Sequence, residues 1–269
     1  MLEAFSYMFK DNKYINKALI YFVFALLMNF CTIYSQTFSP SCAGGECPVQ
    51  SDPQVYIWMI AGAVIGLIPL GYQFSCIKAL MEQKENYVLP TFNIAKNIWL
   101  GFKSLLGSTL LGVIFGLIGI VFAIVFGIIA GLCGHDKASA LGILIVAGII
   151  LVALALIAIL AISIFSIAFT WIFANTGWIT SYIRFKRAFQ LIKTNPSTYW
   201  IAFGLMILIG FVAGIFGLVG PIIGALTGSK FIASLIGSCI IALLSSYTAF
   251  ASAFLVAKSI KSLPIEEEI

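Results

Sequence analysis

The sequence predicts an all-α polytopic membrane protein: six transmembrane helices in three hairpins, with short interfacial amphipathic helices. Three observations lead there. Mean hydropathy is +1.09, with 61% apolar and only 9% charged residues, too few charges to cover a soluble surface of this size. Six apolar stretches are each long enough to cross a hydrocarbon core about 30 Å thick. The basic residues gather in alternate gaps between those stretches. In lipid every backbone amide needs an internal partner, so spans are helices or closed barrels. Barrel strands alternate apolar and polar residues, whereas Ile143–Ile162 is apolar on every face.

The expected spans are about Ala18–Phe38, Val55–Ile77, Leu100–Leu132, Ala138–Asn175, Thr198–Leu226 and Phe231–Ala257, within one membrane domain covering residues 1–269. Residues 1–17 read as an interfacial segment and residues 258–269 as a tail. The first span is read as retained rather than cleaved. Its apolar run is long, Pro40 interrupts the small residues that follow, and no Ala-x-Ala site is present. The third and fourth spans exceed what a bilayer requires, and only Cys133-Gly-His-Asp-Lys137 joins them, so a tight helical hairpin is expected.

All but two of the 15 basic residues fall on one side. Lys10, Lys13 and Lys17 precede the first span; Lys78, Lys84, Lys96 and Lys103 surround the second gap. Arg184, Lys186, Arg187 and Lys193 fill the fourth gap, Lys258 and Lys261 follow the last span, and only Lys137 and Lys230 fall opposite. Basic loops stay cytoplasmic, so both termini are expected inside. The net charge of +5 is thus accounted for by topology, and no continuous basic patch points to nucleic acid.

An aromatic-basic segment precedes each expected pair of spans: Phe5–Tyr14, Phe92–Lys103 and Tyr182–Phe189, with the pairs Phe9-Lys10, Phe102-Lys103 and Phe185-Lys186. Rings with snorkelling bases suit a helix lying in the headgroup layer. The same composition also suits any cytoplasmic membrane edge.

Phe5-Ser-Tyr-Met-Phe-Lys-Asp-Asn-Lys-Tyr14, the Gly71-Tyr72 pair, and Leu89-Pro90-Thr91-Phe92 followed by Gly101-Phe102-Lys103 together resemble the membrane family called domain of unknown function 4013. Thr91 departs from the acid which that family tends to carry there. The resemblance implies a multi-span integral membrane protein of prokaryotic type, hence a cytoplasmic (inner) membrane location, and it supplies no activity.

Several residues are candidates for special roles. Gly-x-x-x-Gly pairs at Gly62/Gly66, Gly112/Gly116, Gly127/Gly131 and Gly210/Gly214 permit close helix approach, within one chain or between chains. Pro69 and Gly220-Pro221 remove helix hydrogen bonds and kink or end a span; with Gln73 and Asn175 they are the candidates for lining a cavity. Cys42 and Cys47 flank Ala-Gly-Gly-Glu in an outer loop, where a disulfide is allowed. Cys31, Cys76 and Cys239 read as packing residues. His135, the only histidine, lacks an evident acid–base partner.

No phosphate loop, nucleophile elbow or His-Glu-x-x-His pair occurs. No ionisable acid or base stands in the middle of a span, which argues against an ion-coupled pump. The sequence therefore points to a non-enzymatic protein without cofactor or metal that organises membrane lipid or partner proteins, as a homo-oligomer or with other membrane proteins. The alternative is a transporter or channel-like conduit for an uncharged or amphiphilic solute.

Overall fold

Apolar runs without interior charge form helices because lipid leaves their backbone no other partner, and local chemistry marks where several of them start and stop. In the computed structural model, residues 11, 13–37, 53–82, 88–133, 137–219, 222–223, 226 and 230–260 are described. Among them there is no strand. The helices are α1 (Tyr14–Thr37), α2 (Pro53–Glu82), α3 (Ile94–Cys133), α4 (Lys137–Thr176), a 3₁₀ turn (Ile179–Ile183), α5 (Phe185–Thr194), α6 (Pro196–Gly217) and α7 (Lys230–Ser259). Six of these are long and apolar enough to cross a membrane: α1, α2, α3, α4, α6 and α7.

Side chains place the helix starts. Asp11 Oδ1 accepts the Lys13 N–H at 2.8 Å just ahead of α1, and Asn93 Oδ1 accepts the Lys96 N–H at 3.0 Å, capping α3. Proline opens α2 and α6, where its missing N–H costs nothing. Gly177 ends α4 with φ +68°, and its N–H returns to the Phe173 carbonyl at 2.7 Å.

One expectation differs in detail. The segment ending in Phe102-Lys103 forms no separate interfacial helix, because Ile94–Lys103 is the opening of α3 itself; nothing in Ile94–Leu100 breaks a helix. Pro69 lies buried inside α2, which runs as helix from Pro53 to Glu82. Cys42, Cys47, His135, Gly220 and Pro221 lie outside the described residues.

Contacts divide the chain into two units. The first comprises Met1–Lys103 with Leu191–Ile269. Within it, Tyr34 stacks on Trp58 at 5.1 Å between ring centroids. Cys31 lies opposite Gly62, and Met28 opposite Gly66. Rising numbers on α1 thus meet falling numbers on α2, and the two helices run antiparallel. The core is aromatic: Tyr72 and Phe250 are essentially inaccessible, Tyr21 packs on Phe250 at 5.4 Å, and Phe92 lies between Tyr72 at 4.8 Å and Phe24 at 5.7 Å.

The second unit is Ser104–Gln190. Phe169 and Phe173 pack on Tyr182, whose hydroxyl is 2.6 Å from Ser104 Oγ. Phe185 adds an edge-on contact to Phe169 at 5.1 Å. Asn175 is half-buried near the end of α4. Away from this cluster the apolar lengths of α3 and α4 are bare: Val113, Leu117, Ile118, Ile120, Val121, Val152, Leu156, Ile157 and Leu160 are all exposed.

The glycines sort by what surrounds them. A Cβ built on Gly71 would overlap the Asn97 carbonyl, one on Gly101 the Leu67 carbonyl, and one on Gly107 the Tyr182 ring. A Cβ on Gly112, Gly116, Gly127, Gly131, Gly210 or Gly214 would meet nothing within 4 Å among the described residues. Gly101→Ala is therefore expected to destabilise the protein by about 1–3 kcal/mol through overpacking. Gly112→Ala is expected to be neutral or stabilising by up to about 1 kcal/mol from helix propensity. Unfolding of the two variants in detergent, followed by tryptophan fluorescence, measures the difference.

Candidate functional site

Two features of the first unit draw polar groups together in an otherwise apolar molecule. One is a closed clasp at a helix end; the other is an open cavity beside it.

The clasp is organised around the extended stretch that precedes α3. Leu89 is buried, so its backbone polar groups need partners within the protein. Its N–H donates to Asp11 Oδ2 at 3.0 Å. Its carbonyl accepts from Lys17 Nζ, which also donates to Asp11 Oδ2 at 2.7 Å. The Pro90 carbonyl accepts from the Tyr72 hydroxyl at 3.0 Å, and proline has no N–H to satisfy. Every backbone polar group of Leu89-Pro90 is thereby accounted for.

Asp11 in turn accepts three donors: the Lys13 N–H on Oδ1, and the Leu89 N–H and Lys17 on Oδ2. Burial pushes its carboxyl pKa upward. The Lys17 hydrogen bond, the two backbone N–H groups and the Lys17 charge together outweigh that and hold the pKa below the ordinary carboxylate value.

Asn97 sits behind the clasp on α3, almost fully buried. Ser75 Oγ lies 3.3 Å both from Asn97 Oδ1 and from the Gly71 carbonyl, while Asn97 Nδ2 is buried without a partner. One hydroxyl proton cannot serve both acceptors well. Turning the amide by 180° lets Nδ2 donate to Ser75 Oγ and releases the hydroxyl proton to Gly71.

The cavity, about 290 Å³ in volume, is bounded by α1 (Tyr21), α2 (Gln73), α6 (Met206, Ile209, Gly210) and α7 (Ser245, Thr248, Ala249, Ser252). Its α7 wall has helical i, i+3, i+4, i+7 spacing, hence one face. Gln73 Nε2 donates to Ser252 Oγ at 2.8 Å across it. With a rise of about 1.5 Å per residue, the lining begins roughly 10–15 Å in from the Tyr14 end of α1, the Glu82 end of α2 and the Ser259 end of α7, and extends to roughly 20 Å along α7 and from the Pro196 end of α6. The Tyr14, Glu82 and Ser259 ends therefore share one side of the unit. They carry Lys13, Lys17, Lys78 and Lys258, and Lys193 lies just ahead of α6.

Among the residues singled out from sequence, the structure brings Gln73 and Gly210 together at this cavity and packs Gly62 and Gly66 against α1. Asn175 lies in the other unit. Sequence reasoning passed over Asp11, Lys17, Tyr21, Tyr72, Asn97 and Ser252 as site residues. The α7 hydroxyl spacing was a usable signal for Ser252; no local pattern pairs Asp11 with Leu89. Cys31 and Cys76 are buried free thiols and Cys239 is half-buried. No three of the described His, Cys, Asp and Glu residues come together as a metal site.

An all-helical chain with six helices apolar and long enough to cross a bilayer is by class a multi-pass membrane protein. The chain belongs to the family described as protein of unknown function (DUF4013), whose model matches residues 55–222. Comparison with curated proteins and with solved structures gave no match. The resemblance drawn from sequence thus holds. Several of the motif residues that carried it converge in space: Gly71 faces the Asn97 backbone and Gly101 the Leu67 backbone, while Tyr72, Leu89, Pro90 and Phe92 build the clasp and its aromatic floor.

Because the folded-state pKa of Asp11 is depressed, its contribution to stability is complete above the unfolded pKa, about 3.9. That contribution is lost as pH falls through the lower folded value. Asp11→Asn is expected to cost roughly 3–5 kcal/mol at neutral pH, since it strands the Lys17 charge. It should also flatten the acid dependence of unfolding below about pH 4. Detergent unfolding from pH 3 to 8 checks both.

Proposed function

We propose that this is a non-enzymatic integral membrane protein of a prokaryotic cytoplasmic membrane, with six spans in three hairpins, that organises lipid or partner proteins. The observation that carries this reading is the bare apolar circumference of α3 and α4. Val113, Leu117, Ile118, Ile120, Val121 and Ile124 are exposed along the middle of α3, and Gly112 and Gly116 leave open space for a close neighbour. Without a hydrophobic drive between helices in lipid, small residues of this kind are what lets a second backbone approach. A partner helix, a second copy of the chain or lipid tails would cover that surface.

The charge pattern supports an orientation with both termini cytoplasmic. α5 supports an interfacial role: Ala188 and Leu191 are buried, while Lys186 and Lys193 are exposed and Arg187 is half-buried. A second reading, passage of an uncharged or amphiphilic solute, draws on the Gln73 cavity. It would require Gln73 substitutions to change solute flux in proteoliposomes.

Photo-crosslinking residues placed at Phe122 and Ile157 are expected to give adducts with lipid or with a second protein; products only within the same chain would remove the organising role. Cysteines introduced near Gln50 and His135 should label from outside, and those near Glu85 and Lys186 only from inside. The opposite pattern would reverse the orientation.

A further inference from the structure

The cavity between α1, α2, α6 and α7 presents a definite hydrogen-bonding character. Ser245, Thr248 and Ser252 each give their hydroxyl proton to a carbonyl of their own helix, those of Ala242, Ser245 and Ala249, at 2.9, 3.2 and 2.9 Å. Their oxygens therefore face the cavity as acceptors. Gln73 spends one amide proton on Ser252; its second proton and its carbonyl oxygen have no partner among the described residues. Tyr21 also lines the cavity, and its hydroxyl has no hydrogen bond among the described residues, so it can donate to an occupant.

An occupant that satisfies this lining both donates and accepts. It carries no net charge, because no Lys, Arg, Asp or Glu lines the cavity. The nearest cation on α1, Lys17, is already taken by Asp11 and the Leu89 carbonyl. Met206, Ile209 and Ala249 supply the apolar remainder, and Ile207, Leu208 and Phe211 continue it as exposed lipid-type surface along α6. The lining begins roughly 10–15 Å from the Tyr14, Glu82 and Ser259 helix ends and extends to roughly 20 Å, so it runs from the membrane edge into the hydrocarbon region, where a polar head and its chains meet. The volume, about 290 Å³, is that of a small polar head rather than of a whole lipid, which leaves the chains outside.

We propose that this cavity binds the head of a neutral, hydroxyl-bearing lipid of the diacylglycerol class. The free hydroxyl donates to Gln73 or to a serine oxygen, the ester carbonyls accept from Tyr21 and the second Gln73 proton, and the chains run out over α6. This goes beyond a general lipid-organising role by naming a site and a headgroup chemistry. It rests only on the protein being membrane-embedded.

Gly210 supplies the sharp test, because it lines the cavity and a Cβ there meets nothing within 4 Å. Gly210→Leu adds a side chain into the cavity from a position whose Cβ is unobstructed. Gly214 has equally open surroundings but does not line the cavity, so Gly214→Leu is the control for bulk on α6. The probe is dioctanoylglycerol carrying a diazirine on one chain, applied to the full-length protein in nanodiscs.

The expected result is saturable labelling of α6 or α7 peptides, displaced by unlabelled dioctanoylglycerol. The apparent affinity should be weakened roughly tenfold or more by Gly210→Leu and by Ser252→Ala, and be unchanged by Gly214→Leu. Equal displacement by dioctanoyl phosphatidic acid, or by the analogue whose hydroxyl is acetylated, would overturn the assignment. So would non-saturable labelling, meaning a cavity filled by water alone, or equal loss with Gly214→Leu. Resistance of each variant to alkaline carbonate extraction is scored separately, so loss of membrane insertion is distinguished from loss of the site.

Discussion

A buried peptide segment at a membrane edge must have every N–H and C=O satisfied by the protein itself. The Leu89-Pro90 stretch meets that requirement with three side chains from two other helices and their flanks. Asp11 takes the one available N–H, Lys17 and Tyr72 supply donors to the two carbonyls, and proline removes the donor that would otherwise remain. From this closure follow the position of Phe92 against Tyr72 and Phe24 and the point at which Asn93 starts α3. An ion pair in such a place is not valuable for its Coulomb energy alone, since desolvation opposes it. Its value lies in holding a non-helical segment against two helices in one arrangement.

The second constraint is steric. Gly71 faces the Asn97 backbone and Gly101 faces the Leu67 backbone, so α2 and the opening of α3 approach more closely than any larger residue would permit. Close approach of this kind is the main source of helix association where lipid and side chains are equally apolar. It also explains how Asn97 and Ser75 come within hydrogen-bond distance inside a hydrophobic wall. The clasp and the glycine contacts thus act on the same helix pair from two directions.

Much of this architecture was legible beforehand. Span number, helical class and the collection of bases at one set of helix ends come from hydropathy and charge, quantities that lipid reads directly. The glycine pattern was less informative: the Gly-x-x-x-Gly rule found Gly62 and Gly66, which do face α1. It also found Gly112, Gly116, Gly127 and Gly131, which have no neighbour among the described residues, and it missed Gly71, Gly101 and Gly107. Spacing along one helix says which side a residue occupies but not which helix comes near it. Those three were visible only as part of a family likeness or not at all. Gln73 stood out as a lone amide in an apolar span, and it does line the cavity. Its companion Ser252 and the neighbouring Tyr21 had ordinary neighbours in sequence, and only the assembly of four helices gives them a shared purpose.

The family match covers residues 55–222, yet the carboxylate that closes Leu89 sits at position 11, and the ring and hydroxyl that back Tyr72 and Gln73 sit at positions 250 and 252. A truncated polypeptide restricted to the matched stretch would expose a bare amide, an unanswered carbonyl and half a cavity to acyl chains. The stretch by which relatives are recognised is therefore smaller than the piece of chain that can stand in a bilayer by itself.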